Sequence, residues 1–266
     1  MISIEEYVRP ESLEEAYELL TNDNNATIIG GGAFIRLSSK SISKAIDLQR
    51  LGLRYIAEQE GEIEIGSETT FGDMEMSPLL NKVFEGYISK NMKDIWSLQM
   101  RNIVTVGGTV YPKLGFSDLI TMLMALETEV VLYKNGRMPL EEYLKTKISK
   151  DIMLKLVIKE NERKASFKFM RNSYYDFSIL NVSVSSDKDL KNFRVSVGAR
   201  PGVAVLAKEA MNILNSEQIS EELINNAATT ASEEISFASD IRGSKEYRKE
   251  ICKTLVKRGL LEVSGL

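Results

Sequence analysis

Two glycine-rich stretches carry the residue types in this chain best suited to holding a ligand. One is Gly30-Gly31-Gly32; the other is Arg101-Asn102-Ile103-Val104-Thr105-Val106-Gly107-Gly108-Thr109, followed by Ser117-Asp118. Glycine lets a backbone approach a ligand with no Cβ in the way, and the successive N–H groups of such a run can point into one concavity, which suits a diphosphate. Two runs well apart in sequence suggest one dinucleotide held from two sides. Neither is a phosphate loop of the G-x-x-x-x-G-K-[ST] kind, and Ile35 stands where the fingerprint G-x-G-x-x-G begun at Gly30 needs a glycine. A plain tight turn at a strand end also explains the first run.

The rest of the composition says what chemistry the side chains cannot do. There is no histidine, which removes the commonest general base and metal ligand together, so serine-hydrolase triads and most transition-metal sites fit poorly. A single cysteine, Cys252, excludes an internal disulfide and any iron–sulfur cluster or zinc site built from this chain's own thiolates. The chemistry is therefore expected from a cofactor. With 34 Lys and Arg against 38 Asp and Glu, the net charge is -4, which gives no reason to expect nucleic acid or an anionic membrane as partner. The N-terminal MISIEEYVRPESL is acidic and lacks an apolar leader, and the apolar stretch Leu119 to Leu126 is too short to span a bilayer. A cytoplasmic location is expected.

These loops need elements to position them. Apolar residues at 13, 16, 17 and 20 predict a helix over 11–20, and Ala26 to Ile29 reads as a strand running into the first glycine run. Short strands follow at 45–48 and 55–57, with a hairpin turn at 59–61 into 62–65. A helix reaching Phe84, with Pro78 in its first turn, is expected next, and Trp96 reads as a core anchor. Ser117 can cap a helix with apolar positions 119, 122, 123 and 126, where Asp118 would favour the helix dipole with no ligand at all. Strands at 129–133 and 154–158 close this unit. The charged run 159–164 reads as a linker or hairpin tip, after which 165–170, 179–184 and 193–197 alternate like antiparallel strands and two helices occupy about 219–234 and 244–258.

The ordered set R-N-I-V-T-V-G-G-T…S-D-L, preceded by I-I-G-G-G and I-G-S-E-T-T and followed by F-K-F-M-R-N-S-Y-Y-D-F-S, resembles the FAD-binding (medium) subunits of molybdenum hydroxylases. That group includes xanthine dehydrogenases, carbon monoxide dehydrogenases and nicotinate dehydrogenase. Val195-Ser-Val-Gly-Ala-Arg-Pro and Ser244-Lys-Glu-Tyr-Arg248 extend the resemblance over essentially the whole chain. It implies an α+β protein with the vanillyl-alcohol-oxidase (PCMH) type of FAD-binding fold: an N-terminal lobe over 1–53, a second lobe over 54–160, and a C-terminal α+β flavoprotein domain over 161–266.

By position, the resemblance implies a first diphosphate loop of Ile28, Ile29, Gly30, Gly31, Gly32, Ala33, Phe34 and Ile35, and a second of Thr105, Gly107, Gly108 and Thr109. Asp118 would bind the ribose or adenine end, Met153 would lie along the cofactor, Lys168 would reach the flavin region, and Phe177 would cover the isoalloxazine ring. Lys168 read on its own is equally a salt-bridged strand lysine. FAD would be carried here; molybdopterin and 2Fe-2S clusters would sit on a large and a small partner subunit, with NAD or another acceptor taking the electrons and a homodimer possible in the assembly. Ala33 and Phe34 replace polar residues usual in relatives, Thr109 stands for an asparagine, and Gly115 for a proline. These departures motivate a competing reading, a cofactor-poor paralogue acting as a binding or assembly subunit. A free-standing flavoenzyme is a third reading.

Overall fold

The computed structural model describes residues 1–266. Its first unit contains strand β1 (Ser3–Val8), helix α1 (Leu13–Asn22), β2 (Thr27–Ile29) and β3 (Ser41–Asp47), the strands forming a parallel sheet in the order β1-β3-β2. The Ser12 hydroxyl accepts from the Glu15 N–H, so α1 starts two residues later than the periodicity predicts. Its buried Ala16 and Leu20 pack with Ile46 and Leu48 of the β3 segment and with Ile152. Strand β1 was not anticipated: its acids leave it mostly exposed, and pairing with β3 is what makes it a strand.

The second unit is built on the antiparallel sheet β4 (Ile56–Gln59), β5 (Glu62–Gly66), β6 (Thr128–Leu132), β7 (Gly136–Pro139) and β8 (Met153–Lys159), in the order β4-β5-β8-β6-β7. Between β5 and β6 run six helices: α2 (Phe71–Met76), α3 (Pro78–Lys82), α4 (Tyr87–Met92), α5 (Leu98–Arg101), α6 (Val106–Val110) and α7 (Asp118–Ala125); α8 (Leu140–Lys145) follows β7. The single helix expected to reach Phe84 is thus two. Ser77 ends α2, its hydroxyl caps α3 through the Leu80 N–H, and Pro78 takes the first helical position. Phe84 and Glu85 then adopt positive φ of 51° and 55°, which separates α3 from α4. Every residue of α7 is buried, because it is wedged between this unit and the third. A 31-residue apolar cluster fills the second unit.

The third unit is a meander, β9 (Lys164–Met170), β10 (Leu180–Ser186), β11 (Arg194–Gly198) and β12 (Val205–Leu206), covered by α9 (Lys208–Leu214), α10 (Glu221–Glu234) and α11 (Lys245–Ser264). Strands β8 and β9 belong to different sheets, so the charged run 159–164 is a connector and not a hairpin tip. A separate cluster of 21 buried residues forms its core, Cys252 among them. Burial pushes the Cys252 thiol up to about 12, so it packs as a small apolar side chain. No helix is long and apolar enough to cross a membrane.

Candidate functional site

Strand β2 delivers the chain into the first glycine run, where Gly31 and Gly32 take φ of 55° and 70°. The second run lies directly against it. A Cβ on Gly30 would overlap the Thr105 hydroxyl, and one on Gly31 would overlap the Ile103 carbonyl oxygen. A Cβ on Gly108 would lie 3.3 Å from the Gly30 carbonyl oxygen. Two segments more than 70 residues apart therefore touch backbone to backbone, which only glycine permits at these positions.

The two loops do different work. In the second, the N–H of Val106 donates to Thr69 O at 2.9 Å, that of Gly107 to Ser67 O at 2.7 Å, and that of Gly108 to Thr105 Oγ1 at 3.1 Å. Its donors are thus engaged in fixing the loop. In the first, Gly32 N–H turns back onto Gly30 O, and the amides of Gly31, Ala33, Phe34 and Ile35 have no acceptor in the protein. Free consecutive N–H groups after two left-handed residues form an anion-accepting nest. The sequence pattern implied a grip from both flanks; the free donors lie on one flank, and the other flank braces it.

Between the loops opens a cleft of about 510 Å³, a volume ordinary for a small-molecule site. The segment 28–35 lines it except for Gly31, and Thr105, Gly107, Gly108 and Met153 line it too. At one end stands Phe34, in an aromatic cluster with Trp96, Phe116 and Phe177 at ring-centroid distances of 5.2, 5.3 and 6.3 Å. At the other end Leu20, Ala26 and Leu48 supply an apolar wall with Lys150 and Asp151 beside it. The Lys150 ammonium is anchored on the carbonyls of Leu20 and Asp23, and the Asp151 carboxylate accepts from the amides of Lys134, Asn135 and Ile152.

Four expected site residues lie elsewhere. Asp118 is buried away from the cleft, its carboxylate accepting from Asn181 Nδ2 at 2.5 Å, Ser178 Oγ at 2.7 Å and Arg171 Nη2 at 2.5 Å. That pairing ties α7 to the β9–β10 region. Lys168 pairs with Glu262 of α11, because on β9 it shares the face opposite Phe167 and Phe169, the two that pack into the second unit's core. Thr109 is buried in α6 with an unpartnered hydroxyl, outside the cleft wall. Phe177 sits behind Phe34 and under the Arg242 guanidinium at 5.0 Å, a half-buried member of the aromatic cluster. Trp96 is likewise half-buried there and not a deep core anchor.

Ser67 and Glu68 are among the cleft residues that escaped the sequence reading. They follow β5 and line the cleft where the second loop is braced. The Ser67 hydroxyl is buried without a partner, and the Glu68 side chain, 7% exposed, accepts no hydrogen bond from the protein. Burial, reinforced by the nearby Asp47 and opposed by Arg54, raises the Glu68 carboxyl to about 7. Both lie inside the I-G-S-E-T-T stretch, but nothing in a Ser-Glu pair announces a binding role.

Comparison with known proteins decides what this cleft belongs to. Residues 2–160 match the model of the FAD binding domain in molybdopterin dehydrogenase, and residues 165–263 match the CO dehydrogenase flavoprotein C-terminal domain. The chain belongs to the FAD-binding subunits of the molybdenum hydroxylases. It is 26% identical over 278 residues to the nicotine 6-hydroxylase medium subunit of Paenarthrobacter nicotinovorans, covering 97% of each chain. It is 25% identical over 275 residues to the glyceraldehyde dehydrogenase medium chain of Sulfolobus acidocaldarius, covering 97% of this chain and 98% of that one. In fold it is similar to carbon monoxide dehydrogenase from Hydrogenophaga pseudoflava, with a TM-score of 0.87, 23% identity and coverage of 98% and 97%. The reconstituted CO dehydrogenase from Oligotropha carboxidovorans gives a TM-score of 0.90 at 20% identity, covering 99% and 98%.

The residues of this FAD-binding subunit fit its cofactor on their own terms. Free amides at 33–35, glycines packed too tightly to bear a Cβ, and the unpartnered Glu68 carboxyl in the cleft wall are what a diphosphate flanked by hydroxyl-bearing groups requires. Ala33 and Phe34 remove side-chain donors from the loop and leave its backbone donors intact.

Proposed function

We propose that the chain serves as the flavin module of a three-component hydroxylase, accepting electrons from iron–sulfur clusters on a small partner subunit and delivering them to NAD or another acceptor. Molybdopterin would sit on a large partner, where the hydroxylated substrate reacts. The medium-subunit names of the relatives support this assembly, and the observation that carries the reading is the meeting of the two glycine loops at one cleft with unengaged amides on its wall.

FAD, when bound, supplies redox chemistry that no side chain here can perform. The protein's part is to bind and orient. The amides of Ala33, Phe34 and Ile35 would take the diphosphate, with the Ile103–Gly108 loop holding them in place through its contacts at Gly30 and Gly31. Met153 and the Leu20, Ala26 and Leu48 wall offer apolar surface for a flat ring, and the aromatic cluster at Phe34 offers another at the opposite end. Phe177, in van der Waals range of Phe116 at a centroid distance of 4.4 Å, would shield that end from solvent. Phe177→Ala should leave FAD affinity within about threefold and raise the rate at which added acceptors reoxidise the reduced protein; an unchanged rate removes this role.

The test of the whole reading is purification from co-expression with the neighbouring small and large subunits. A stable complex containing flavin, iron and molybdenum supports it. A complex that contains this chain, iron and molybdenum but no flavin, and takes up no added FAD, favours instead the assembly-subunit reading motivated by Ala33, Phe34 and Thr109.

A further inference from the structure

A buried carboxyl without a protein partner is costly unless a ligand supplies donors, and Glu68 is such a group. Its position along the cleft is specific. Ser67, the preceding residue, accepts from the Gly107 amide and lies against Gly107 so closely that a Cβ there would come within 2.9 Å of Ser67 Cβ. The pair therefore sits next to the diphosphate cradle. It lies on the side away from Phe34, since the Glu68 N–H donates to Leu53 O and its charged neighbour Asp47 ends β3, just before Leu48 in the apolar wall. Between a diphosphate and an apolar slot, a nucleotide presents its ribose.

We propose that Glu68 reads the 2′,3′-diol of a ribonucleotide's sugar and so orients FAD with its adenosine toward Leu20, Ala26 and Leu48. This rests on the cleft being the FAD site. A carboxylate is acceptor-only with two oxygens, matching two adjacent hydroxyl donors. The polar wall facing Glu68 contains Asp47 and Arg54 at its back and Lys150 and Asp151 along the cleft; the last two are already held by backbone groups, which leaves Glu68 as the unengaged acceptor. The role implied for Asp118 by resemblance is thereby taken by a residue 50 positions earlier in the chain.

Calorimetric titration of the FAD-free protein with ADP and with 2′,3′-dideoxy-ADP measures the diol directly, and a parallel titration with FAD measures the cofactor. The wild type should prefer ADP over the dideoxy analogue by about 10- to 100-fold, the range expected of hydrogen bonds to a charged acceptor. Glu68→Leu, which keeps the bulk and removes the acceptor, should bring that ratio to within about twofold, with Glu68→Gln intermediate. FAD binding with an ADP preference unchanged by Glu68→Leu overturns the proposal and leaves the flavin reading standing. ADP discrimination without FAD binding overturns the flavin reading and with it the orientation of FAD, leaving only the diol contact at Glu68, and an unselective or absent response to both nucleotides ends both. If the preference follows the ribityl chain instead, FMN and not ADP will lose affinity in Glu68→Leu, which also refutes the assignment to ribose.

Discussion

Gly31 and Gly32 are adjacent, both left-handed, and differ in what surrounds them. A Cβ on Gly31 meets the Ile103 carbonyl, and one on Gly32 meets nothing within 4 Å. Gly32→Ala should therefore cost only the conformational penalty of about 1–2 kcal/mol, whereas Gly31→Ala should push the two loops apart and abolish FAD binding; denaturation curves and cofactor titration of the pair check this. Glu68 predicts a pH effect of definite sign. Its carboxyl is raised from the ordinary 4.5 to about 7 in the folded chain, so the folded state holds its proton more tightly than the unfolded one. Stability contributed by the protonated form is complete below about pH 4.5 and is lost as pH rises through about 7, by a total of ~3 kcal/mol. Glu68→Gln should consequently stabilise the FAD-free protein at pH 8 and have little effect at pH 4.5, as followed by urea denaturation. At this scale the sequence revealed the glycines, whose type alone limits what they can do. It did not reveal Glu68 or the failure of Asp118 and Lys168 to reach the cleft, because which face of a strand or helix end a charge occupies depends on the neighbours it pairs with in space.

Helix α7 is placed by polar bonds as much as by its apolar face. Ser117 caps it through the Ile120 N–H, and Asp118 in its first turn receives Ser178, Asn181 and Arg171 from the third unit. Removing the charge leaves the Arg171 guanidinium, 5% exposed, buried without its counterion. Asp118→Asn should thus destabilise the FAD-free protein by about 3–5 kcal/mol; a stable variant with weakened FAD affinity would instead return Asp118 to the ligand. The Lys168–Glu262 pair is 31% and 55% exposed, so Lys168→Ala should change stability by less than about 1 kcal/mol and leave FAD affinity unaltered. Most elements were legible: the periodicity of α1, the Ser117 cap and the alternation of β9 to β11 are local signals. The short helices α4 to α6, α8 and α9 and the strands β1, β7 and β12 were not, since tertiary contacts rather than periodicity or propensity make them.

Three sheets with three apolar clusters are joined so that the cleft falls between the first and second, where the first glycine loop leaves β2 and the second enters α6. That arrangement follows from the ordered motifs and not from any one of them, which is why resemblance over the whole chain conveyed the architecture while the donor geometry emerged only from the fold. The most direct measurement is reconstitution: the protein, freed of any cofactor, is incubated with FAD and desalted, and its visible spectrum and flavin content are read. The account predicts a yellow protein retaining one FAD per chain, and the loss of that colour in Gly31→Ala. A folded, colourless protein that retains no FAD would contradict it.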